Sequence, residues 1–487
     1  MKKLFILLFL TTAIVFFSCQ KEKEEEIDNI DNNITSTLTN EEIKSLLRLK
    51  DNHTISLEDA MIQANEVAAF FDQPKNALKS SVSGRSISSI RTIWYKGHSG
   101  LKSSNSSCDS LALYVFNYSS GQQDSLGYAL IAGDDRLSSV LCCSNKGVLN
   151  DTVSNPGLAI FLSHTPDFVD KKIKEESSKS DSIYNQAITK LNNELPDSLK
   201  ISNPGLKSSS SLSWKIENYS VGNWQVITQY GPMGSVTWDQ GWPYNTSLSP
   251  IYCNGSNRQP WTGCVATAIA QIMAYHRHPS TIQGISFNWA EMVAWPNAWQ
   301  LSTNGRTQVA TLMQLIGQGV SMSYGCDGSS SNIDKANSWY NNNGYNTDGV
   351  QGYNLSTIIG SLSSSRPIQI RGCAIKTTTT YGWWIFSYTN TSYSEGHAWV
   401  IDGYIKRQRK ISYNLVLYSG SRKVLSQPVS YYQYDEYVRC NYGWGGLDNG
   451  YYLSGVFDTN AGSTALKSGT SGYYQYDIKI LPNIRPK

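Results

Sequence analysis

The sequence predicts an α+β protein: a C-terminal half with a helical lobe and an antiparallel β lobe, preceded by a small α+β region. Three observations carry this. Gln259 to Pro279 holds one strong helix repeat. From Pro367 onward, short runs rich in Tyr, Val and Ile alternate with turn residues, the mark of strands. Ahead of both, two helical stretches, three strand-like runs and further helical sequence follow in order. At 487 residues the chain exceeds one ordinary domain, and length alone favours two or three.

The N-terminus reads as a targeting segment. Lys2 and Lys3 precede an apolar run, Leu4 to Phe17, of about 14 residues, short for a membrane span. Residues 1–18 are therefore assigned to a signal peptide. Cys19 follows directly and resembles the acylated cysteine of a bacterial lipobox, although Phe17 stands where a small residue is usual. An ordinary signal peptide cut nearby is the alternative. The acidic run QKEKEEEID resembles the surface-export signal of Bacteroidota lipoproteins, or is simply a solvated tether over 19–40.

In the region 41–205, Thr39 to Lys50 and Ser56 to Phe71 read as helices, with Ser56 and Asp59 placed as in a capping box. Lys79 to Ser89 is a Ser-rich break. Strands are expected at Leu111–Tyr118, Gly127–Ala132 and Ser139–Cys143, then helices at Leu158–Lys174 and Ser182–Asn192. Composition turns polar from Ser180 to Ser213, and 206–222 is assigned to a linker open to proteolysis. The remainder, 223–487, is the C-terminal domain.

That domain is organised around Cys264. Val265, Ile269, Ile272 and His276 share one helix face, and Ala266, Ala268, Ala270 and Ala274 favour the helix. Cys264 falls in the first turn, where unpaired N–H groups and the helix dipole favour an anion, here a thiolate. Such a cysteine, taken alone, is usually a small core residue. Two distant segments shift the balance. His397 opens the apolar run Ala398–Ile401, and Asn441 ends a strand before the glycine-rich turn Gly443–Gly446. Together they offer a nucleophile, a base and an orienting carboxamide.

Here the chain resembles the streptopain-type cysteine peptidases, of the papain-like clan. Thr262 to His276 match the run around the family's nucleophile. Gly396 to Gly403 match its histidine motif. Asn441 to Gly446 match its NWGWGG turn, with Tyr442 where Trp is usual. Asp239 to Asn245 match a fourth motif. The resemblance implies a papain-like two-lobed catalytic domain with Cys264, His397 and Asn441 as catalytic residues and Gln240 donating to the oxyanion hole. It implies substrate contacts at Ser329 in the Gly/Ser loop 321–332, and the sequence around the site adds Gly396 and Trp444. It implies that the N-terminal region is an inhibitory prosegment, removed by proteolysis. Lys406 to Asp435 is longer than in the family's namesake and is expected to form a hairpin that reshapes one cleft wall. If the usual Trp shields the histidine–asparagine hydrogen bond, Tyr442 would do so less completely.

Composition excludes other classes. Net charge is +3, from 41 basic and 38 acidic side chains, so there is no nucleic-acid footprint. Of the nine cysteines, the seven besides Cys19 and Cys264 show no CxxC spacing. They are expected to be core thiols rather than a disulfide framework. His276 and His278 at the helix end suit the last carbonyls better than zinc, and no metal or cofactor is expected. The expected partners are protein or peptide substrates and the chain's own prosegment, with membrane contact only through the lipid. The expected location is the outer membrane or cell surface, with release of the catalytic part on cleavage. The alternative is a catalytically silent surface binding protein. Amidase or transglutaminase chemistry on the same thiol is a third possibility.

Overall fold

The computed structural model describes residues 35, 37–50, 52–72, 84–96, 110–121, 123–195, 212–372, 396–458 and 478–487. The architecture is α+β, as the sequence predicts. The chain divides into two compact units. The larger holds Asp51–Asp181, Val221–Ile411 and Tyr432–Lys487, and the smaller Met1–Lys50, Ser182–Ser220 and Ser412–Tyr431. This partition does not follow the boundary expected from the sequence. The Leu4–Phe17 run, Cys19, Cys108, Cys373 and the strand expected at Tyr381–Tyr388 lie outside the described residues.

The N-terminal part of the larger unit has helix α1 (Leu57–Asp72) and strands β1 (Ser86–Lys96), β2 (Ser110–Ser120), β3 (Gln123–Ala132) and β4 (Val140–Ser144). Its C-terminal part contributes β5 (Gln225–Tyr230), β6 (Gln351–Gly352), β7 (Ile368–Gly372), β8 (His397–Ser419), β9 (Arg422–Asn441), β10 (Gly450–Leu453) and β11 (Lys479–Leu481). The pairing order is β1-β2-β3-β4-β10-β9-β8-β7-β11-β6, and β5 pairs with β8. The N-terminal and C-terminal regions therefore share one sheet. Their seam is β4 against β10, with Cys143 opposite Tyr451.

Strand β8 alternates between two cores, as a period of two requires. Trp399 and Ile401 belong to the core shared with the N-terminal strands, which includes Phe116, Leu130, Phe161 and Tyr442. Ala398 and Val400 face the other core. At the centre of that second core is helix α2 (Cys264–His276), buried from Val265 to Ala274. Around it are α3 (Trp289–Met292), α4 (Thr303–Gly319) and α5 (Ile333–Asn342), contributing Met292, Leu312, Ile316 and Trp339. A helix apolar on all sides is a buried helix.

The smaller unit gathers a short helix, Asn40–Ser45, the turn Leu46–Leu49, the end of a long helix from Ser182, the strand Leu212–Val221 up to Ser220, and the tip of the β8–β9 hairpin. Leu46, Ala187, Leu191, Trp214, Leu415 and Leu417 are buried within it. Its first helix carries a capping box: Thr39 Oγ1 accepts from the Glu42 N–H at 3.2 Å, and Glu42 accepts from the Thr39 N–H at 2.8 Å.

Several expectations need correction. Leu158–Lys174 and Ser182–Asn192 are one continuous 38-residue helix, Pro156–Asn193. Its Ser- and Lys-rich middle has no apolar face for the pattern to register. Leu212–Val221, expected as linker, is a strand. Strand β1 begins inside the expected Ser-rich break, and α5 and the helix Leu355–Ser363 were not expected at all. Two cysteines expected as core thiols, Cys253 and Cys326, form a disulfide with Cα atoms 5.6 Å apart. They are 73 residues apart in sequence, and pairing at that distance is set by the fold, not by local spacing. Cys142, Cys143 and Cys440 are buried thiols as expected. The Lys406–Asp435 hairpin is present, but its tip, 412–431, lies in the smaller unit.

Candidate active site

Cys264 is the first residue of α2 and is half-buried. The residue before it, Gly263, has φ 88°, and a Cβ there would lie 2.7 Å from Met322 Sδ and 3.0 Å from the Ser329 carbonyl. Only glycine suits that backbone and that space. The Gly263 carbonyl accepts from the Thr267 N–H at 3.1 Å, fixing the helix start. Ser329 Oγ donates to the Trp261 carbonyl at 2.6 Å, tying the 321–332 loop to the segment before the cysteine. Its side chain is thereby engaged in a structural bond.

The segment carrying Gln240 is tied to the same helix. The Trp238 N–H donates to Gln271 Oε1 on α2 at 3.2 Å, and the Thr262 N–H donates to the Gln240 carbonyl at 3.0 Å. The Gln240 N–H donates to Asp239 Oδ1 at 2.6 Å. Burial raises the Asp239 carboxyl pKa, opposed by hydrogen bonds from the Gln240 and Gly241 backbone. Gln240 is buried, yet its Nε2 has no hydrogen-bond partner among the described residues. An unpaired buried amide is costly, and Gln271 Nε2 on the neighbouring helix is likewise unpaired among the described residues.

The glycine-rich turn joins these segments to the β lobe. The Gly445 N–H donates to the Trp238 carbonyl at 3.3 Å. Asn441, at the end of β9, donates from Nδ2 to the Val236 carbonyl at 3.0 Å. Its Oδ1 accepts from the Gly443 N–H at 3.3 Å and from Asn449 Nδ2 at 3.0 Å. Asn449 in turn accepts from the Tyr442 N–H at 2.9 Å. Trp444 stacks on Trp261 at 6.3 Å and meets the His397 ring edge-on at 6.1 Å.

His397 opens β8, opposite Gly372, and points to the same face as Trp399, on which it stacks at 6.1 Å. Its Nε2 lies 2.9 Å from the Tyr442 carbonyl, whereas the Asn441 side chain is bonded elsewhere. A carbonyl only accepts, so Nε2 carries the proton and Nδ1 the lone pair. Burial pushes the imidazole pKa down to about 4, only partly offset by the bond to Tyr442. The ring is therefore neutral near neutral pH. Gly396 beside it is exposed.

Two further residues bear on the site, and both come from the N-terminal region. Asn155 caps the helix Pro156–Asn193: its Oδ1 accepts from the Gly157 N–H at 3.0 Å. Its Nδ2 donates to Asp448 Oδ2 at 3.1 Å and to the Leu447 carbonyl at 3.3 Å, beside the glycine-rich turn. Burial raises the Asp448 carboxyl pKa to about 6, against the hydrogen bonds from Asn155 and Tyr128. Gly157 then lies against the rings of the site. A Cβ on it would fall 2.1 Å from Tyr442 Cδ1 and 3.0 Å from His397 Cδ2. Tyr442 itself is fully buried in the shared core. The Asn–Pro–Gly triplet is a helix-start signal, an N-cap residue followed by proline at the first helical position. That signal was available in the sequence; its contact with His397 was not.

Comparison with known proteins bears on the same regions. Residues 238–452 match the model of the Peptidase C10 family, and residues 53–167 match that of the Spi protease inhibitor. The chain is 23% identical over 402 residues to the thiol protease/hemagglutinin PrtT of Porphyromonas gingivalis, covering 77% of this chain and 37% of PrtT. The chain thus spans little more than a third of that relative. It is 23% identical over 406 residues to streptopain of Streptococcus pyogenes, covering 76% of this chain and 81% of streptopain. Among solved structures, a prointerpain A fragment of Prevotella intermedia aligns with TM-score 0.44 and 19% identity, over 77% of this chain and 96% of the fragment.

Proposed function

Since the chain belongs to the Peptidase C10 family, with an inhibitor-like N-terminal region, we propose that it is a cysteine endopeptidase made as an inactive precursor. On this reading the Cys264 thiolate attacks a peptide carbonyl, and the bond to the leaving amine breaks after His397 protonates it. Water then hydrolyses the acyl-enzyme with His397 as base. Gln240 Nε2 and the Cys264 N–H hold the oxygen that becomes negative. Asn441 orients the imidazole once His397 leaves the Tyr442 carbonyl. Ser329, Gly396 and Trp444 border the extended substrate.

The observation that carries the proposal is the packing of Gly157 against His397. The N-terminal region abuts the base, and on this reading it completes the burial, shared with Trp399, Tyr442 and Trp444, that keeps the ring neutral. In that state an imidazolium cannot form to stabilise a thiolate, so the nucleophile is unpowered. Removing the region would free the ring to meet the thiol and Asn441. We place the cut between Lys200 and Leu212 and the protein outside the cytoplasm, anchored at Cys19. The Cys253–Cys326 disulfide suits an oxidising compartment.

The test is to express Gln20–Lys487 beside its Cys264→Ala variant. Self-conversion to a form of about 30 kDa, a domain-sized product, should occur in the first and not the second. Casein cleavage should follow the same pattern. Conversion in neither, with Cys264 unreactive to iodoacetamide after the N-terminal region is removed, would favour the silent binding protein instead.

A further inference from the structure

The smaller unit has a composition that the peptidase reading does not explain. It is made from both sides of the proposed cut. The segment 37–50 and the helix end 182–193 lie before it; the strand Leu212–Val221 and the hairpin tip 412–431 lie after it. The strand belongs with the tip. It pairs with β8, and Lys423 Nζ meets Glu217 at 3.1 Å. Lys215 lies over the Tyr418 ring at 5.2 Å. The N-terminal pieces belong together as well, through Lys190 and the buried Glu42 at 2.9 Å.

Bonds also cross from one group to the other. Tyr413, buried on the hairpin, donates from its hydroxyl to the Ile43 carbonyl at 2.6 Å. That carbonyl is in the last turn of the first helix, where it also accepts from the Leu46 cap N–H. Lys50 lies over the Tyr219 ring at 4.2 Å. The hairpin tip is covered on both strand faces, since Leu415, Val416 and Leu417 are all fully buried. Such a tip is unsuited to standing alone in water.

We infer that the extended β8–β9 hairpin is a holding site for residues 37–50, which keeps the N-terminal fragment bound to the peptidase after the chain is cut. The inference rests on the precursor reading above. The hold concerns 37–50 alone, so Asn155–Gly157 must still leave His397 for activity; its consequence is that a peptidase anchored through its N-terminus would stay at the membrane after maturation.

The test separates this from self-processing. A recognition sequence for a site-specific protease is placed between Gly205 and Ser210 of the Cys264→Ala chain, so an added enzyme makes the cut. The nicked protein is immobilised by a C-terminal tag, and loss of the N-terminal fragment is followed in mild urea. The fragment should remain bound through gel filtration. Tyr413→Phe combined with Lys50→Ala should release it about tenfold faster, from the loss of one buried hydrogen bond and one cation–ring contact. Tyr413→Phe keeps the ring, so the uncut variant should melt as a folded protein. Equal release from both nicked proteins, whether fast or slow, would overturn the inference. Failure of the wild-type chain to process itself would leave this result standing and would count against the precursor reading alone.

Discussion

The two ends of the candidate site are held by different parts of the chain. The Cys264 end is fixed by its own C-terminal region: Met322 and Ser329 crowd Gly263, and Gln271 anchors Trp238. The His397 end is fixed partly by the N-terminal region, with Gly157 against the ring and Asn155 bonded to Asp448 nearby. The nucleophile's surroundings should therefore survive removal of that region, while the base's should not. On the proposed reading, control of the precursor falls on the base. This costs less structure than unfolding a helix buried on all sides, because His397 sits at a strand end.

The sharpest way to break this comparison is Cys264→Ala, which should lower peptide hydrolysis by roughly 10⁴-fold or more without moving the melting temperature of the precursor. Residual hydrolysis near the wild-type rate would remove Cys264 from the mechanism. Next comes Gln240→Ala, expected to lower kcat by roughly 10²–10³-fold with little change in KM, as for a lost oxyanion donor. A loss confined to KM would make Gln240 a ground-state contact instead.

Gly157→Ala probes the other end. The added carbon has no room against Tyr442 and should destabilise the closed precursor by roughly 1–3 kcal/mol. Self-conversion should then speed up, while the catalytic part, once the N-terminal fragment has been stripped away, keeps its kcat. Unchanged conversion kinetics would separate Gly157 from control of the base.

Acid should have a smaller, graded effect. Burial holds His397 and His276 near about 4 and His164 near about 3. The unfolded chain, with histidines near about 6.5, takes up more protons below that pH, so precursor stability falls as pH drops from about 6.5 towards 4. Asp448, raised to about 6, works in the opposite direction, since the folded form holds its proton more tightly. Asp239 and Glu66, also raised by burial, add to that opposition, but the larger shifts of the three histidines leave a net loss on acidification. A melting temperature that rises from pH 6.5 to 4.5 would contradict this.

What the sequence made legible was whatever local periodicity or turn chemistry encodes. The α2 repeat and the strand ending at Asn441 were visible because each presents its own pattern. The long helix Pro156–Asn193 was read as two, because its polar middle has no apolar stripe. The Cys253–Cys326 pair, the seam between β4 and β10 and the Gly157 contact depend on distant segments meeting, which no local pattern records. The four candidate residues came from motif resemblance; their present partners came from the fold. Asn441 bonded to Asn449 rather than to His397 is the clearest case.

The central claim is that the N-terminal region holds His397 buried and neutral. It is tested most directly by the titration of that histidine, followed by NMR in the Cys264→Ala protein before and after the N-terminal region is cut and stripped away. The account requires the His397 pKa to move from about 4 in the precursor towards the ordinary histidine value of about 6.5. The same low value in both forms would contradict it.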